Sequence, residues 1–198
     1  MGSGSYTVGH GLNTAPSLLI TKARSNASSW WVYHNSIGVN SYLALNSTSG
    51  AASDYSWVSA PTSTVFTANN NFFSNGYTYV VYAFAPVEGF SAFGSYTGNG
   101  STDGPFVYTG FKPAYVLYKR TNASGNHWGV MDSTRDPSNV ADAYLQASST
   151  AAESSTAIMD FLSNGFKLRI AADGTNGNGS TYIYAAFAEH PFKTSRAR

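Results

Sequence analysis

Apolar and polar positions alternate with a period of two in the clearest stretches of this chain. Phe166-Lys167-Leu168-Arg169-Ile170 places apolar residues on one side and charged residues on the other. Successive side chains of a strand point to opposite faces, so this run predicts a strand with one wet and one buried face. It follows Asn164-Gly165, a dipeptide that accepts the positive φ angles of a type I′ turn, so Asp160 to Ile170 is an expected hairpin. Thr78 to Ala85 is apolar or aromatic at nearly every position, as in a strand covered on both sides. Leu18 to Thr21 and Tyr115 to Tyr118 predict further strands, and Trp30 to His34 and Trp128 to Met131 predict shorter ones. Ala141 to Leu162 is Ala-rich with some helical spacing, but its counterpart in the repeat described next contains Gly50, Trp57 and Pro61. Those residues resist helix, so strand and loop are expected in both places.

Four blocks recur in the same order. Pro16 to Lys22 matches Pro113 to Lys119, and Trp30 and Val32 match Trp128 and Val130. Tyr42-Leu43 with Ser47-Thr48 matches Tyr144-Leu145 with Ser149-Thr150, and Thr78 to Ala85 matches Thr181 to Ala188. The offset drifts from 97 to 103, as loop insertions produce. Self-similarity at this period predicts one module used twice. The expected fold is all-β: two tandem β-sandwich modules of jelly-roll or lectin-like type, at residues 6–88 and 89–198. Gly89 to Gly98 precedes the second copy, whereas almost nothing precedes Tyr6. One strand is therefore missing from the first copy, or comes from elsewhere in the chain or from another subunit.

Charge changes the picture mainly by its scarcity. Only 11% of residues are charged and the net charge is +1, while 15% are aromatic. No dense basic face is available to displace phosphate counterions, which argues against nucleic acid as a partner. Weak repulsion between copies favours self-association. The absence of cysteine excludes disulfides and thiolate metal sites. No apolar run approaches the length of a membrane-spanning helix, and Met1 to Ser5 lacks the features of a signal peptide.

Candidate chemistry is sparse. His10, His34, His127 and His190 do not sit at metal-ligand spacing, and no metal or other cofactor is expected. Glu88 and Glu189 occupy similar places in the two copies, too far apart for a glycosidase pair. Asp173 to Gly179 has a single carboxylate and reads as a wide turn, not a calcium loop. The Asn-x-Ser/Thr triplets are what an Asn- and Ser-rich chain contains by chance. The tryptophans carry more information. Trp30 and Trp128 are repeat-equivalent, which favours the core. Trp31 and Trp57 are specific to one copy and are the better candidates for ligand stacking, with core or interface anchoring as the competing role.

Gly94 to Gly100, Gly104 to Pro113, Phe161 to Leu168, Thr181 to Phe187 and Glu189 to Lys193 resemble a repeated domain of tailed-bacteriophage structural proteins. Val8 to Leu12 and Pro61 to Phe66 fit the same pattern in the first copy. The resemblance spans nearly the whole chain and implies a lectin-like β-sandwich in a virion. The expected function is a non-catalytic structural role as tail fibre, head fibre or capsid decoration. The expected partners are further copies in a homo-oligomer such as a trimer, and other virion proteins. A lectin-like receptor-binding module for bacterial surface glycans is the alternative.

Overall fold

The computed structural model describes residues 4–53, 57–70 and 72–189. The described residues are almost entirely strand and loop. The first half contributes β1 (Ser5–Gly9), β2 (Leu18–Ala23), β3 (Trp31–His34), β4 (Ser41–Ala44), β5 (Ala52–Ser53), β6 (Trp57–Ser59), β7 (Val65–Asn69) and β8 (Tyr79–Phe84). The second half contributes β9 (Ser91–Thr97), β10 (Phe106–Tyr108), β11 (Pro113–Arg120), β12 (Gly129–Asp132), β13 (Ala141–Gln146), β14 (Ser154–Leu162), β15 (Gly165–Leu168) and β16 (Thr181–Ala188). A single 3-10 turn at Asn35–Ile37 and a one-turn helix α1 at Asp173–Asn176 are the helical elements among them.

Among the described residues all ladders are antiparallel, and none joins a strand of the first half to one of the second. In the first half, β1-β7-β6 forms one sheet and β5-β4-β3-β2-β8 another. In the second half, one eight-stranded sheet runs β10-β15-β14-β13-β12-β11-β16-β9. It is not a pair of separate sheets, because β13 to β14 carries the ladder around the bend, at a register shift between Ala141 and Ala143. The sheet therefore curls almost into a barrel, open at the seam between β9 and β10.

Side-chain alternation sorts the core into three apolar layers. Leu19 and Tyr33 point toward the small sheet, onto Trp57, Phe66, Phe72 and Phe73. Their chain neighbours Leu18 and Val32 point the other way, onto Leu117, Trp128, Ile183 and Ala185 of the second half. On β11 and β16 the pattern repeats. Leu117 and Ile183 face the first half, while Val116, Tyr118, Tyr182 and Tyr184 face the barrel interior with Phe166 and Met159. A strand apolar on both faces, as Thr78 to Ala85 and its like were read, is thus a strand of an inner layer.

The two halves are also joined by hydrogen bonds at one end. Ala51 N donates to Thr121 O at 2.7 Å, Gly125 N donates to Thr48 O at 3.0 Å, and the Trp128 indole donates to Ala44 O at 2.9 Å. Gly50 fits there because it lacks a Cβ, which would stand 2.8 Å from Thr121 O and 2.9 Å from Ala123 O. Burial of a large side chain stabilises by about 1.5–3 kcal/mol, so the apolar layer contributes strongly to holding the halves together.

The predicted hairpin is present with different turn chemistry. β14 and β15 pair Leu162 with Gly165, so Ser163 and Asn164 form the two-residue turn. Neither takes a positive φ, and the turn is not type I′. Gly165 is instead required by a neighbouring strand: an added Cβ would lie 2.2 Å from Val107 O and 2.9 Å from the Phe106 ring. Ala141 to Leu162 is two strands and a loop, as the repeat argument expected.

Candidate functional site

The seam of the curled sheet holds a concave surface. β9 and β10 are its two edges and are tied at one end by the turn through residues 98–105. Asn176 is buried there and donates to Asn99 Oδ1, Ser101 O and Ile170 O, while accepting from Asn99 N. At the other end the edges part. A cleft of about 480 Å³ opens between the segment after β8, the start of β9 and the end of β10, lined by Pro86, Val87, Glu88, Phe93, Tyr108 and Thr109.

β10 determines the surface of this cleft. Pleating turns Val107 inward, where it is 6% exposed, and turns Phe106 and Tyr108 outward at 45% and 66%. Tyr184, from the core of the second half, reaches this strand, its hydroxyl donating to Tyr108 O at 3.5 Å. Gly94 leaves room for it, since a Cβ there would meet the Tyr184 hydroxyl at 2.9 Å. Val87 adds an exposed apolar side chain at the rim. Ser91 is not a free nucleophile, because its hydroxyl donates to Ala85 O at 2.9 Å. The arrangement is an aromatic shelf beside a carboxylate. It can stack on the C–H face of a sugar or on an apolar side chain, and Glu88 can accept from hydroxyls.

The residues expected to bind ligand lie elsewhere. Trp57 is 2% exposed, packed edge-on to Tyr33 at 5.5 Å and Phe72 at 5.3 Å. It presents no face to a ligand, which corrects the expectation of a surface platform. The pleat of β6 explains this: Val58, one residue on, takes the outward position at 51% exposure. The Trp57 indole N–H has no hydrogen-bond partner among the described residues, and packing holds the ring. Trp31 is half-buried and stacks on Phe72 at 5.1 Å, with Tyr42 edge-on at the same distance. Phe72 thus joins the two candidates in one aromatic cluster. Trp128 is buried, whereas Trp30 is half-buried and stacks on exposed Tyr82. The reading missed Tyr108 and Phe106. Their signal was the aromatic-apolar-aromatic alternation of Phe106-Val107-Tyr108.

Titratable groups are engaged in holding the fold. His34 is buried between the halves. Ser36 N–H donates to its Nδ1, so the proton sits on Nε2 and is donated to Tyr184 O at 3.1 Å. Burial lowers its pKa to about 4, partly opposed by that bond. Lys119 is fully buried, with Nζ donating to Arg120 O and Thr48 O. Desolvation, reinforced by nearby Arg120, lowers its pKa to about 8. His10 bonds Thr62 O, and His127 bonds the Ser148 hydroxyl. Glu189 pairs with Lys112 at 2.8 Å, remote in role from Glu88. Asp173 starts α1 and pairs with Arg120 at 3.4 Å. His190 lies outside the described residues. Among the described residues, no group of three or more His, Asp or Glu is placed to share a metal ion. No helix among them is long and apolar enough to cross a membrane.

The chain belongs to the family described as Domain of unknown function (DUF7483), and the match spans residues 1–191. No curated protein and no solved structure matches the chain.

Proposed function

We propose that this chain is a non-catalytic structural protein of the bacteriophage virion, of tail-fibre, head-fibre or capsid-decoration type. Its two tandem modules, residues 6–88 and 89–198, pack back to back, the first as two facing sheets and the second as one sheet curled on itself in place of the expected second sandwich. The two-module reading rests on equivalent ladders. Leu18 lies opposite Phe84 on one side and His34 on the other. Tyr115 lies opposite Phe187 and Asp132, the partners that the repeat assigns to it.

The observation that carries the function is the apolar layer between the modules, together with the buried His34 and Lys119 bonded across it to backbone carbonyls. It makes a rigid block whose polar groups are committed to cohesion, and whose outer surface offers aromatic side chains with little charge. A repeating assembly uses such contacts without chemistry. Its partners are other copies of itself and other virion proteins, and its location is the particle. The test is protein mass spectrometry on purified particles from lysates of the source phage. Stoichiometric presence in the particle is expected. A chain abundant in the lysate and absent from particles overturns the proposal.

A second reading, a lectin-like module for bacterial surface glycans, is favoured by the shelf at Tyr108 and Glu88. It transfers the stacking role from Trp31 and Trp57 to Tyr108. Binding to surface polysaccharide that Tyr108→Ala abolishes, with the thermal midpoint unchanged, is its expected result. Equal binding by parent and variant sinks it.

A further inference from the structure

β8 and β16 are the same strand by sequence, with Tyr79 to Phe84 matching Tyr182 to Phe187. They differ in what covers their outer edge. β16 pairs with β11 on one side and with β9 on the other. β8 pairs with β2 and ends its sheet. The consequence is seen along the whole strand. Tyr182 to Ala186 are all buried, whereas Tyr79 to Phe84 are half-buried and Tyr82 is 48% exposed.

We infer that β8 is the edge through which two copies of the chain associate, antiparallel, about a two-fold axis at Val81. The inference does not rest on the particle assignment above. Three observations carry it. First, the edge is undefended. Sheet edges are normally protected by charge, proline or a bulge. β8 has none: Tyr79 to Phe84 is uncharged and lacks proline, and its ladder to β2 runs without a register shift. Of the other edge strands, β5 has two residues and β6 and β10 have three, while β1 and β9 share with β8 the lack of charge and proline, β9 lying beside the seam.

Second, the hydrogen-bonding phase is right. Thr78 gives its carbonyl to Arg24 N at 2.7 Å, so it faces β2. Ladder alternation then turns the N–H and C=O of Tyr79, Val81 and Ala83 outward. Those are the counterparts of Tyr182, Tyr184 and Ala186, which lie opposite Tyr96, Gly94 and Ala92 of β9. The β9 ladder is therefore the chain's own example of how this edge is completed.

Third, the strand complements itself. A two-fold axis normal to the sheet keeps faces together, so residues of like parity must oppose one another. Centred on Val81, it sets Val81 against Val81, Tyr79 against Ala83 and Val80 against Tyr82. Outward-facing groups meet outward-facing groups, giving roughly six backbone hydrogen bonds. Each tyrosine meets a smaller side chain, and no charge meets a like charge.

Light scattering on the purified full chain across a wide concentration range tests this, alongside V80K/Y82K. The parent is expected at twice the 21.1 kDa chain mass. V80K/Y82K sets lysine against lysine across the axis and is expected to halve that mass, with its thermal midpoint near that of the parent. Because the chain has no cysteine, V80C/Y82C provides an independent measurement. Oxidation is expected to give a covalent dimer on a non-reducing gel. A 21.1 kDa parent at every concentration overturns the inference. So does an assembly whose mass V80K/Y82K leaves unchanged, or failure of V80C/Y82C to cross-link. Should V80K/Y82K not fold, the cross-link decides.

Discussion

Acid should weaken this fold before its carboxylates titrate, and His34 is the reason. Its imidazole lies between the halves at 1% exposure, accepting from Ser36 N–H and donating to Tyr184 O. A second proton would remove the acceptor and place a charge in an apolar layer. The folded pKa is accordingly about 4, against 6.5 for an exposed histidine. Between these values the unfolded chain takes up a proton that the folded chain refuses. Stability is therefore fullest above pH 6.5 and declines as the pH falls toward 4. The limiting loss is about 3 kcal/mol, and at pH 5 it is about 2 kcal/mol. For a chain of this size that lowers the thermal midpoint by roughly 4–8 °C between pH 7.5 and pH 5. The assay is thermal unfolding followed by circular dichroism for the parent and His34→Gln. Glutamine offers an N–H to Tyr184 O without titrating, so the variant is expected to lose most of the slope in that window. Equal slopes in parent and variant would refute the assignment to His34.

Three further outcomes follow from the packing. Lys119 acts in the same sense on the alkaline side: its folded pKa is about 8 against 10.5 unfolded, so stability should rise by about 1.5 kcal/mol from pH 8 to 9.5. Denaturant unfolding measures this, and Lys119→Met should abolish the rise. Trp57→Ala should cost about 3–5 kcal/mol as a core cavity, whereas Trp57→Phe should cost far less. Phenylalanine keeps a ring in the cluster and removes a buried N–H that has no partner. Gly50→Ala should cost roughly 1–3 kcal/mol, because its Cβ meets two carbonyl oxygens of the facing loop. Chemical denaturation checks it, and an unchanged midpoint would mean that the loops between the halves yield freely.

Several structural features could be read from the chain because they depend on neighbouring residues. The pleat rule placed Phe166 and Leu168 inside and Lys167 between them, as β15 has them. The same rule, applied to β6 and β10, separates Trp57 from Val58 and Val107 from Tyr108. It was not applied to those short strands, because three residues are too few for a period to stand out. Trp57 stands out in the sequence as a tryptophan specific to one copy of the repeat, and the Tyr108 shelf gives no such signal.

By itself, the sequence determined that this is an all-β chain with strands at Leu18 to Thr21, Tyr115 to Tyr118 and Thr78 to Ala85. Strand alternation and turn residues act locally, and they do not need a partner to be legible. Only the tertiary structure decided which edges stay open and which residues share a cleft. It also decided that Asn164-Gly165 serves close strand approach and not a positive-φ turn, and that His34 and Lys119 are buried between the halves. Those outcomes depend on contacts between residues far apart in the chain, such as His34 with Tyr184, 150 positions on. A hydrophobic pattern states that a face is covered; only the assembled sheets state what covers it.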